Sequence, residues 1–141
     1  MANAIPDLWP EIEQSKVVPP VAILREQAAA LGNRTGHLLE GRVSTRTDGD
    51  GNFIHTFYVV APTLDNYTYG LFSISHGADT YPVSAPSLEE LHLPDYPSTI
   101  PIEPLRIRSE KELLDYLRAV LNSEKTMRIV GSLLNQVKSA T

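Results

Sequence analysis

The sequence predicts an α+β domain, a two-layer sandwich in which an antiparallel four- to five-stranded meander packs against an N-terminal helix and two C-terminal helices. Three observations lead there. Apolar residues recur at helical spacing after residue 19 and again after residue 109. Between residues 39 and 84 they alternate with period two instead. The connections between the strand-like runs are too short for parallel crossovers, so the strands must reverse direction at each turn.

Residues 1–17 read as a flexible or peripheral lead-in, with Trp9 and Ile12 expected to dock on the body, and residues 18–141 as one domain. Pro20 suits the first turn of a helix, where its missing N–H is not needed. Val21, Leu24, Ala28 and Leu31 then form one apolar stripe, which predicts a helix over 19–31 closed by Gly32-Asn33.

Leu39, Gly41, Val43 and Thr45 share one face of the first strand, and Glu40, Arg42, Ser44 and Arg46 the other. The run Asp48-Gly49-Asp50-Gly51-Asn52 is a turn signal, and Phe53–Val60 returns as a strand rich in aromatic and β-branched residues. Pro62 ends it, Leu64-Asp65-Asn66 makes the next turn, and Tyr67–Ser75 gives the third strand. A short fourth strand is expected over Tyr81–Ser84, after a Ser75-His76-Gly77 turn in which Gly77 supplies an unusual backbone angle. Phe53/His55/Phe57/Val59 and Ile54/Thr56/Tyr58/Val60 are both apolar enough to face a core, which suggests that both sides of the sheet are covered.

Five prolines across 85–104 exclude a helix and predict an extended surface strap, with an edge strand near Ile102–Ile107. Ser109-Glu110-Lys111-Glu112 is a capping box, with Glu112 expected to reach back to the cap. Leu113, Leu114, Leu117, Val120 and Leu121 line the helix that follows. Ser123 caps a second helix, whose stripe is Met127, Val130, Leu133, Leu134 and Val137.

The 141 residues are 42% hydrophobic and 21% charged, a globular composition in a chain long enough to fold without a staple. There is no cysteine, which excludes disulfides, thiolate metal sites and cysteine nucleophiles. The first residues have neither the basic nor the apolar region of a secretory leader, and no run is long enough for a membrane span, so a cytoplasmic location is expected and membrane binding is not. The net charge of −5 argues against nucleic acid as a partner.

That charge is unevenly spread. Every basic residue lies outside 47–105, a stretch with eight acidic residues, all three Phe and five of the six Tyr. Its formal charge is therefore −8, leaving +3 for the rest of the chain. An acidic, tyrosine-rich surface suits a basic partner, either another protein or a second copy of this chain.

No motif implies a cofactor, a metal or a catalytic residue. Asp48, Asp50 and Asn52 have the spacing of a calcium loop, but Phe53 and Val59 stand where the required glycine and bidentate glutamate should be. No glycine-rich phosphate loop or nucleophile elbow is present. The expectation is a non-enzymatic protein-interaction or regulatory module, with Tyr67, Tyr69, His76, Asp79, Tyr81 and His55 as candidate binding residues. The alternative is a small-ligand-binding domain or small enzyme with a pocket near His55 and His76. His76, with Ser73, Ser75 and Asp79 close in sequence, is the best candidate base for such chemistry.

Overall fold

A computed structural model describes residues 4–88 and 103–140. Its elements run α1 (Pro20–Arg34), β1 (Glu40–Thr47), β2 (Phe53–Ala61), β3 (Tyr67–His76), β4 (Val83–Ala85), β5 (Leu105–Ile107), α2 (Glu110–Leu121) and α3 (Glu124–Ser139). The strands form one sheet in sequence order, every neighbouring pair antiparallel. This is the meander with one N-terminal and two C-terminal helices that the alternation predicts.

The turns explain the register. Asp48 organises the β1–β2 loop: its carboxylate accepts from the Asp50 and Asn52 amides at 2.8 and 3.0 Å and from the Asn52 side chain at 3.1 Å. Gly51 adopts φ 82° there, a conformation that costs glycine nothing. At the opposite end of the sheet, Asp65 and Asn66 take left-handed angles, which short polar side chains tolerate best. Pairing then sets Val43 against Phe57 and Thr45 against His55. Between β2 and β3 the register slips, Phe57 facing Phe72 while Tyr58 faces Gly70. Leu71 is the extra residue, and both it and Phe72 are buried.

One face of the sheet carries the core. Phe57, Val59 and Ile74 meet Leu24 of α1, Leu113 and Leu117 of α2, and Val137 of α3 in one buried cluster. The Phe57 and Phe72 rings stack at 5.6 Å, and Tyr116 of α2 meets Phe72 edge-on. The other face is half-open. Arg42 lies over the Tyr58 ring at 5.5 Å, and Thr56 and Ser73 bond across the strands at 2.8 Å.

Several local expectations are corrected. Gly32 lies inside α1, which continues to Arg34; Thr35 closes the helix, its hydroxyl donating to Leu31 O at 2.9 Å and accepting from the Leu39 amide at 3.1 Å. Trp9 and Ile12 do not dock on the body: they are 76% and 74% exposed, because the chain before α1 runs clear of the sheet and helices. Gly77 has no left-handed angle; its carbonyl is the part that matters, as an acceptor for His76. The fourth strand falls at Val83–Ala85, since pairing with β3 begins only at His76↔Val83. Ser109 accepts from the Glu112 amide as expected, but the Glu112 carboxylate reaches the amide of Arg108, one residue before the cap. The edge strand is Leu105–Ile107. Most of the strap, with Glu89, Glu90, His92, Asp95 and Tyr96, lies outside the described residues.

Candidate functional site

The six candidate residues fall into two groups at opposite ends of the sheet. His55, His76, Asp79 and Tyr81 lie toward the end formed by the β1–β2 and β3–β4 turns, and Tyr67 and Tyr69 toward the β2–β3 turn. The described acidic residues of 47–105 divide in the same way. Asp48, Asp50 and Asp79 lie at the first end, Asp65 and Glu103 at the second.

At the first end, cross-strand pairing brings His55 of β2 beside Thr45 of β1, and its ring turns to His76 of β3. The two Nε2 atoms are 2.9 Å apart, Thr45 Oγ1 is 2.8 Å from His55 Nδ1, and His76 Nδ1 is 2.7 Å from Gly77 O. One end of this chain fixes the rest. A carbonyl only accepts, so His76 Nδ1 donates to Gly77. In the neutral pair, His76 Nε2 is then an acceptor, His55 Nε2 donates to it, and Thr45 donates to His55 Nδ1. Phe53 covers both rings, at 6.5 Å from His55 and 5.5 Å from His76.

His55 is 3% exposed. Burial, and then the facing His76 ring and the Arg25 guanidinium, push its imidazole down to about 4. Protonation of His55 would place a proton on Nδ1 as well, and Thr45 would have to rotate from donor to acceptor. A second proton would set two N–H groups head to head.

The serines near His76 in sequence do not meet it. Ser73 is bonded to Thr56, and Ser75, next along the strand, points to the opposite face of the sheet. Asp79 is exposed in the turn. Tyr81 is partly buried; burial first, and then Glu110, push its hydroxyl above the usual phenol range. That hydroxyl has no hydrogen-bond partner among the described residues. Those residues also include no cluster of three or more metal-ligating side chains, and no helix long and apolar enough to cross a membrane.

Two hollows flank α3. One, of about 320 Å³, lies beside Tyr67 and Tyr69, with Leu64 from the β2–β3 turn and Ile129 and Leu133 from α3. The other, of about 400 Å³, opens between α1 and α3. The bulge at Leu71 helps to make it: Phe57, Val59 and Leu71 form its floor, Leu31 and Val130 its walls. Arg34 and Met127 also line it, and Met127 is 51% exposed. Neither hollow includes His55 or His76.

In the sequence Met127 and Val130 share the stripe of the last helix and Leu71 falls within the third strand, and spacing does not bring that strand to that helix. The groove arises only where a bulge, a helix end and a helix start converge. The chain before α1 adds a further exposed apolar feature, with Ile5 88% and Leu8 82% exposed beside Trp9 and Ile12.

No known protein-family model, curated protein sequence or solved structure matches the chain.

Proposed function

We propose that the domain is a non-enzymatic protein-interaction module that receives an apolar segment of a partner in the groove between α1 and α3. The observation that carries this reading is the groove's makeup. It is lined by the core side chains Phe57, Val59 and Leu71, themselves at most 8% exposed, and edged by exposed Met127 and Arg34. A concave apolar floor with a few polar groups at its margin suits an inserted side chain, which gains from leaving water while the margin orients it. The Tyr67/Tyr69 hollow on the other flank of α3 offers a second, smaller contact.

The alternative of a ligand pocket at His55 and His76 has less support. All four ring nitrogens are engaged, by Thr45, by each other and by Gly77.

Selection of a random displayed peptide library on the immobilised protein tests the groove. Enriched peptides should carry large apolar anchors. Met127→Glu should weaken them roughly 30-fold, as expected for a lost central contact. Its circular dichroism should be unchanged, because Met127 is at the surface. Peptides that bound wild type and Met127→Glu equally would remove the groove as the site.

A further inference from the structure

We infer that the groove's occupant is the N-terminal arm of a second copy of this chain, two copies exchanging arms in a closed two-fold dimer. The inference rests on the reading of the groove as a docking surface, and adds what docks there.

The arm, residues 4–18, presents Ile5, Leu8, Trp9 and Ile12, each between 74% and 88% exposed. Four large apolar side chains in one short segment open to water call for a cover. Tryptophan in particular is enriched where a few residues dominate an interface. The groove, at about 400 Å³, holds an indole together with an aliphatic neighbour.

Charge favours the same pairing. The arm carries Asp7, Glu11 and Glu13 against the single base Lys16. Among the described residues that line the groove, Arg34 is the one that carries a charge, and it is basic. An acidic apolar segment therefore meets an apolar hollow with an arginine at its edge.

The arm is also partly ordered before it docks. Pro6 and Pro10 restrict its backbone, and Asp7 Oδ1 accepts from the Trp9 amide at 3.0 Å, forming a local turn at the tryptophan. Less conformational freedom remains to be lost on binding.

The junction with α1 points the arm outward. Pro19 holds φ −73° and ψ 150°, and a residue before proline is kept from the helical region. At Val18-Pro19-Pro20 the chain thus leaves α1 extended and cannot turn tightly back along its own helix. The groove lies against the C-terminal half of α1, at Gln27, Leu31 and Arg34. Two α1 helices placed antiparallel about a two-fold axis bring the arm of one copy to the groove of the other, and the same contact repeats in reverse.

Trp9 is the only tryptophan, so its fluorescence reports on the arm alone. Emission and light-scattering mass are measured on the full chain across a dilution series. The expected result is a dimer with blue-shifted emission that reverts to monomer and red-shifted emission on dilution. Met127→Glu in the groove, or Leu8→Asp with Ile12→Asp in the arm, should each shift the dimer midpoint to roughly 30-fold higher concentration. Mixing the two variants should restore a dimer, since one intact arm then faces one intact groove.

Blue-shifted emission in a monomer, independent of concentration, would overturn the inference in favour of the chain's own arm. A dimer indifferent to Met127→Glu would overturn it as well, by placing the contact elsewhere. A monomer with solvent-exposed Trp9 at every concentration would also overturn it. A chain with Ile5, Leu8, Trp9 and Ile12 changed to Ser separates this failure from failure of the groove itself. If selected peptides still bind that chain and lose affinity on Met127→Glu, the groove stands and only the arm is wrong. If they do not, both readings fall.

Discussion

Gly41 in β1 stands directly against the backbone of Ala28 in α1. A methyl group at Gly41 would press on the Ala28 Cα and lie 2.7 Å from its Cβ and 2.8 Å from its carbonyl oxygen. Helix backbone cannot yield as a flexible side chain would. Gly41→Ala is therefore expected to cost about 3 kcal/mol, by forcing α1 off the sheet. Gly131, in α3, is the control: a Cβ there meets nothing, and Gly131→Ala should add about 1 kcal/mol through helix propensity. Urea denaturation of both variants checks the contrast.

Stability should fall as the solution is acidified through the range between His55's two titrations. In the unfolded chain an imidazole titrates at about 6.5, whereas in the fold His55 is pushed down to about 4. Between those values the unfolded chain binds a proton that the folded chain refuses. The contribution is complete above the unfolded value and declines as pH drops toward the folded one, by on the order of 3 kcal/mol in all. His55→Gln, which keeps a polar group beside Thr45 and His76, should flatten that decline. Denaturation midpoints of the two proteins across the window measure the difference.

Thr126 ties the start of α3 to the end of α2. Its buried hydroxyl donates to Val120 O at 2.8 Å and accepts from the Ser123 hydroxyl at 3.0 Å. Thr126→Val keeps the shape but removes both hydroxyl bonds, leaving Val120 O with the Ser123 amide at 3.2 Å alone, a loss of about 1 kcal/mol. Thr126→Ser should retain more of the stability. Thermal melts of the pair distinguish the hydroxyl from the methyl.

The Tyr81 hydroxyl, buried and without a partner among the described residues, is a group the fold would be better without. Tyr81→Phe should raise stability by about 1 kcal/mol, because it removes a desolvated donor and keeps the ring. Chemical denaturation gives the sign directly.

Much of the architecture was legible from residue pattern. Period two over 39–84 and the turn residues at 48–52 and 62–66 were enough for the meander, and Ser109 and Ser123 marked both C-terminal helices through their caps. Less legible were features that depend on what crosses a residue from another element. Gly32 looked like a helix stop because it is glycine, yet it is buried inside α1. Gly41 looked like an ordinary strand position, and only Ala28 explains it. The two histidines were expected at one pocket, but their ring-to-ring contact depends on a cross-strand register that spacing alone does not disclose. The groove was illegible for the same reason, since its floor depends on a one-residue slip at Leu71.

The position of α3 has a dynamic consequence. With a hollow along each flank, the helix is held to the body chiefly through Leu133 and Val137, its buried apolar side chains, and through the Thr126 link. A helix seated on so narrow a seam can detach while the sheet and α1 stay intact, a partial opening well short of global unfolding. Its backbone amides should then exchange with deuterated solvent sooner than those of β2, which is paired on both sides. Whatever fills either hollow would slow that exchange along α3 first.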